Sequence, residues 1–133
     1  MRVKLFALLP AAVSLLLPFA ASAEFPRHHT REVALYNGCD TTWEFLIMTS
    51  PAPDIWVRRG FYRLDPGEYT YPVRDGVRLK HRDSASAYVY AISIDKKLSM
   101  SGDHGINYKG EHYEATEARR VLHGATVIIP VYC

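Results

Sequence analysis

The feature that most restricts this chain is the spacing of its turn signals. Asn37-Gly38, Ser50-Pro51-Ala52-Pro53-Asp54, Asp65-Pro66-Gly67-Glu68 and Asp75-Gly76 cut the apolar runs before most of them reach helix length. Pro fixes φ and lacks an N–H, while Gly, Asn and Asp accept positive φ, so each signal tends to end an element. The intervals suit short strands. Val33–Tyr36 is apolar and brief. Thr42–Met48 puts Trp43, Phe45 and Ile47 on one face, and Ile55–Leu64 is strand-like with Gly60 at a bulge. Tyr69–Val73 and Val77–Lys80 follow. Ala87–Ile94 alternates Tyr88, Tyr90 and Ile92 with Val89, Ala91 and Ser93; with both faces largely apolar, it reads as a central strand. Ala125–Tyr132 is the last strand, and Pro72 and Pro130 each suggest an edge, a bend or a strand end. Asp95–His112 is rich in Gly, Ser, Lys and Asp, with a short strand expected at Ile106–Tyr108. Glu114–Leu122 is the one helical pattern. Together these predict an all-β fold: a single antiparallel β-sandwich or flattened barrel with at most one short helix.

Two turns carry finer expectations. In Asp65-Pro66-Gly67-Glu68, Pro66 presets the first central φ and Gly67 supplies the positive φ of a type II turn. Asn37-Gly38 reads as a turn or bulge, since both residues tolerate positive φ.

The N-terminus is of another character. Arg2 and Lys4 precede an apolar stretch, Leu5–Ala20, and Ala21-Ser22-Ala23 is a small-x-small cleavage pattern. Residues 1–23 are therefore expected to be a secretory signal peptide, 24–31 a flexible arm, and 32–133 one β domain. The expected location is periplasmic or secreted, without stable membrane insertion after cleavage.

The chain has 16 Lys+Arg and 14 Asp+Glu; without Arg2 and Lys4 the remainder balances. A near-neutral domain without a Lys/Arg block is a poor candidate for nucleic acid or an anionic membrane. Cys39 and Cys133 are the two cysteines, and in an exported chain such a pair is expected to form a disulfide.

Four stretches carry a family resemblance: Tyr36-Asn37-x-Cys39, Trp56-x-x-x-Gly60-Phe61-Tyr62, Leu64-x-Pro66-Gly67-Glu68 and Ala87-Tyr88-Val89-Tyr90-Ala91. Their order over Val33–Ile92 resembles the small secreted bacterial proteins grouped as domain of unknown function 1036. Members usually carry a cysteine just after the Pro-Gly turn, where this chain has Tyr69, so the family's disulfide connectivity does not transfer. The resemblance implies a β-fold and bacterial export, and no activity.

Candidate binding residues are Trp56, Phe61, Tyr62, Tyr69 and Tyr71, whose rings could form a platform for sugars or a partner, and Arg59, which with Arg58 and Arg63 could bind a carboxylate or phosphate. Core packing accounts for the same aromatics, and a charged, aggregation-resistant edge accounts for Arg58, Arg59 and Arg63. Phe61 and Tyr62 point to opposite faces, so a single platform holds one of them. His104 and His112, beside Asp103 and Glu111, are weak metal candidates, since zinc sites show closer ligand pairs. Ser101-Gly102-Asp103-His104-Gly105 holds triad residue types without a nucleophile elbow and reads as a turn, so no catalytic residue is assigned. No cofactor is implied. The sequence reads as an exported non-enzymatic interaction module for a protein or envelope component, its surface combining Trp56–Tyr71 with Ser99–Glu111. The alternatives are a glycan-binding module using exposed aromatics and, third, a small metal-dependent hydrolase around Asp103, His104 and His112.

Overall fold

The computed structural model describes residues 29–133; the expected signal peptide and residues 24–28 of the expected arm lie outside them. Thirteen strands follow in order: β1 (Thr30–Asn37), β2 (Trp43–Ala52), β3 (Ile55–Leu64), β4 (Tyr69–Thr70), β5 (Val73–Arg74), β6 (Val77–Arg78), β7 (Lys80–Arg82), β8 (Tyr88–Ser93), β9 (Ser99–Met100), β10 (His104–Tyr108), β11 (Glu111–Glu117), β12 (Val121–His123) and β13 (Thr126–Val131). One sheet runs β12-β13-β1-β4, with β7 also on β1. The second runs β10-β11-β8-β2-β3, with β9 also on β8, and β5–β6 is a separate hairpin. Two facing sheets with no helix among the described residues match the all-β expectation. The first sheet is mixed rather than antiparallel, because β1 and β13 run parallel, from Glu32↔Thr126 to Asn37↔Val131.

The main core lies between the sheets. Val33 and Leu35 of β1 and Val127, Ile129 and Val131 of β13 meet Trp43, Phe45 and Ile47 of β2 and Val89 and Ala91 of β8. This is the one-face pattern expected of β2. The other face of β2 is buried too: Leu46 and Met48 form a second cluster with Ile106 and Ala115, because the larger sheet curls until β10 reaches β3.

Several expectations need correction. Glu114–Leu122 is not helical. Glu111–Ala115 pair with β10, and Thr116 and Glu117 pair with β8. Burying Ala115 on one face of that ladder outweighs a local helix preference that has no apolar stripe to bury. Thr30 and Arg31 belong to β1, not to an arm: Arg31 binds Asp83 through two nitrogens, at 2.9 and 3.1 Å, and the carbonyl of Gly124. Ser50–Ala52 extends β2, with Ser50 N–H donating to Nδ1 of buried His81 at 2.9 Å. Neither Asn37 nor Gly38 has positive φ. Gly38 is small for a different reason, since a Cβ there would lie 2.6 Å from the Tyr132 ring. Asn37 is buried and stitches the loop: Nδ2 donates to Thr41 O and Leu64 O, and Oδ1 accepts from Cys39 N–H.

Other local readings hold. Gly67 has φ 76°, and Glu68 N–H donates to Asp65 O at 3.0 Å, as a type II turn requires. β3 bulges opposite Leu46, between the pairs Phe45↔Tyr62 and Ile47↔Arg59. Pro130 lies beyond Ile128, the last residue paired to β12. Cys39 and Cys133 form a disulfide across a sequence separation of 94, with Cα atoms 5.2 Å apart.

Candidate functional site

The curl of the larger sheet gathers aromatic rings on the face turned away from the main core. Tyr88 and Tyr90 project there from β8, because their neighbours Val89 and Ala91 point inward. At one end, Tyr88 stacks on His104 of β10, with centroids 3.6 Å apart and planes within 8°, while Trp56 of β3 lies 6.1 Å from Tyr88. At the other end, Phe61 of β3 meets Tyr113 at 5.3 Å, Tyr108 at 6.4 Å and Tyr90 at 6.5 Å, all edge to face. Such tilted contacts place a ring's positive edge on its neighbour's negative face. Trp56 and Phe61 each remain 38% exposed. A depression of about 290 Å³ opens beside Phe61, Tyr90 and Tyr113, with Glu44 and Lys96 at its rim. Glu44 pairs with Arg63 at 3.5 Å.

The six sequence candidates therefore separate. Trp56 and Phe61 share the aromatic face. The bulge in β3 turns Arg59 and Tyr62 together toward the main core, where Tyr62 packs on the buried cluster. Burial pushes the Tyr62 phenol up, opposed by its hydrogen bond to the Arg59 guanidinium. Tyr69 lies in β4 of the other sheet, and Tyr71 just beyond the end of that strand. There Tyr69 sits 4.4 Å from Tyr36, and Tyr69 and Tyr71 line a groove with Ala34, His123, Thr126 and Ile128. The Phe61–Tyr62 opposition holds, but one continuous platform does not form. Two segments expected to combine do meet: β3 supplies Trp56 and Phe61, and β10 supplies His104 and Tyr108.

The histidine pair does not converge. His104 faces the aromatic cluster, whereas His112 lies on the opposite face of the β10–β11 hairpin, over Gly105. Its ring nitrogens sit 2.8 Å from Asn107 Oδ1 and 2.8 Å from Glu114 Oε1. Among the described residues, no three His, Cys, Asp or Glu side chains are grouped to hold a metal. Sequence reasoning left Tyr88, Tyr90 and Tyr113 out of the site and reached Tyr108 only as part of the Ser99–Glu111 segment. The alternation in β8 does put Tyr88 and Tyr90 on one face; the curl that brings β10 and β11 over them carries no sequence signature.

A depression of about 580 Å³ lies where β9 and β11 diverge along β8, between Met100, Thr116, Arg119, Pro130 and Tyr132. Its lining holds no aromatic cluster; Arg119 lies 5.9 Å from the Tyr132 ring, and Glu117 is the one carboxylate. No protein-family model matches the chain, and no curated protein is similar to it.

Proposed function

We propose that this chain is an exported, non-enzymatic recognition module that binds a protein or another cell-envelope component through the aromatic face of its curled sheet. The observation that carries this reading is the state of Trp56 and Phe61. Both stay substantially exposed, yet ring contacts from β8, β10 and β11 hold them in place. Large rigid aromatics with restricted rotamers lose little entropy on binding and are enriched at interface hot spots.

Export, to the periplasm or beyond the cell, is supported by the disulfide, which persists in oxidising compartments. The N-terminal pattern and the motif order that resembles the domain of unknown function 1036 family support it as well.

A glycan ligand is the second reading, favoured by the depression beside Phe61. Its ring walls suit the apolar face of a sugar, and Glu44 and Lys96 supply hydrogen-bonding groups for hydroxyls. Affinity capture from an envelope extract with the oxidised protein, read by mass spectrometry and by a glycan array, tests both. A specific protein partner supports the leading reading, retention of polysaccharide alone supports the second, and no specific capture counts against both.

A further inference from the structure

The β5–β6 hairpin pairs with neither sheet. Asp75 and Gly76 form its two-residue turn at φ 53° and 79°, the positive values of a type I′ hairpin. Buried Pro72 and Leu79 fix its base: Leu79 N–H donates to Pro72 O at 2.9 Å, and Val33 N–H donates to Leu79 O at 3.0 Å. Every residue from 73 to 78 is exposed, including Val73 at 44% and Val77 at 64%. Pairing sets Val73 against Arg78 and Arg74 against Val77, so each face of the hairpin carries one apolar and one cationic side chain.

Beside the hairpin, Pro51, Val57, Val77 and Leu79 line a depression of about 280 Å³ ringed by Arg74, Arg78 and Lys80. Arg78 also pairs with Glu32 at 3.1 Å and lies 4.0 Å over the Tyr71 ring. Among the described residues, Arg74 and Lys80 make no ion pair. Along Val73–Lys80 the sequence supplies the cations Arg74, Arg78 and Lys80 against one carboxylate, Asp75, and the fold adds Glu32, which pairs with Arg78. The charge balance of the whole domain hides this local excess, which the fold sets beside exposed valines.

We propose that the β5–β6 hairpin and its adjoining depression dock on an anionic phospholipid surface. Val73 and Val77 enter the headgroup boundary while Arg74, Arg78 and Lys80 lie against lipid phosphates. Interfacial attachment of this kind scales with the apolar area buried and with attraction to anionic lipid. An exposed hairpin without a strand partner in either sheet, its Asp75–Gly76 turn flanked by Val73 and Val77, suits a soft bilayer boundary, and the cations select an anionic leaflet over a neutral one. This is peripheral attachment and involves no membrane-spanning element.

The test is co-sedimentation of the oxidised chain from Glu24 to Cys133, so that the apolar Leu5–Ala20 stretch does not contribute. Vesicles of phosphatidylcholine alone are compared with vesicles that also contain phosphatidylglycerol. Binding is expected with phosphatidylglycerol only. It falls as salt rises from about 0.1 to 1 M and the screening length contracts from about 10 to 3 Å. Arg74→Glu and Lys80→Glu each reduce partitioning by about fivefold or more. Val77→Asp also reduces it, with the melting temperature unchanged because the residue is exposed. Equal binding to both vesicle types, no binding to either, or partitioning unaffected by Arg74→Glu with Lys80→Glu overturns the proposal. Capture of polyglutamate without vesicle binding also overturns it and assigns the hairpin to an acidic peptide. A Trp56→Ala/Phe61→Ala variant retains vesicle binding, so failure here is separable from failure of the aromatic-face reading.

Discussion

Tyr108 donates its hydroxyl to the carbonyl oxygen of Gly60 at 2.8 Å and so joins β10 to β3 across 48 residues of sequence. That bond falls at the bulge of β3, where the ladder to β2 is interrupted. It helps hold the curled sheet in the shape that brings Phe61 against Tyr108 and Tyr113. The aromatic face is a consequence of the curl.

Tyr108→Phe keeps the ring and removes the donor. A loss of about 0.5–1.5 kcal/mol is expected, with faster hydrogen exchange concentrated in β10. Unchanged exchange in β10 would mean that packing of Ile106 alone holds the curl.

The Cys39–Cys133 bridge closes most of the described chain into one loop. A chain-entropy treatment gives about 4–5 kcal/mol for a loop of this size. Reduction, or a Cys39→Ala/Cys133→Ala variant, is expected to lower the melting temperature by ten degrees or more on the order-of-magnitude scale for small domains. Identical melting curves with and without reductant would contradict this.

Buried His81 accepts from Ser50 N–H at Nδ1, and its Nε2 lies 2.7 Å from Ala85 O. Burial is the main cause that pushes its pKa down; the Arg120 and Arg82 guanidiniums add to it, while the Ala85 carbonyl and Asp83 oppose it. The unfolded chain therefore takes up a proton on His81 at a pH where the native chain does not. Stability is full above the unfolded value near 6.5 and falls as pH drops from there toward the lower native value. Urea unfolding between about pH 7.5 and 5 should show this slope, and His81→Gln should flatten it. Equal slopes in the two proteins would remove His81 from the account.

Gly67 sits at φ 76°, and a Cβ there would meet nothing within 4 Å. Gly67→Ala therefore isolates backbone strain, and a loss of about 1 kcal/mol is expected. A Tm equal to wild type would argue against a rigid type II turn.

Legibility in the sequence followed the range of the interactions. The Asp65–Glu68 turn, the Asp75–Gly76 hairpin, the inward face of β2 and the centrality of β8 all arise from period-two alternation or from residue-specific φ, and each was readable. Glu114–Glu117 was misread because strand pairing with His104–Gly105 and with Tyr88–Val89 decides its conformation, and those partners are distant in sequence or hidden in a Gly-rich stretch. The six-residue platform failed for a related reason. Tyr69 and Tyr71 follow β3 closely in sequence, but the chain crosses to the other sheet at the Asp65–Glu68 turn. Phe61 met Tyr108 and Tyr113 through a curl that no local pattern encodes.

The most direct measurement is affinity capture from an envelope extract with three forms of the oxidised protein: wild type, Trp56→Ala/Phe61→Ala and Tyr69→Ala/Tyr71→Ala. Each form is first shown to be folded by circular dichroism. The account predicts that the Trp56/Phe61 variant loses the captured species and that the Tyr69/Tyr71 variant, altered on the opposite sheet, keeps it. Capture retained by the Trp56/Phe61 variant and lost by the Tyr69/Tyr71 variant would contradict the central claim and move recognition to the groove beside Tyr36.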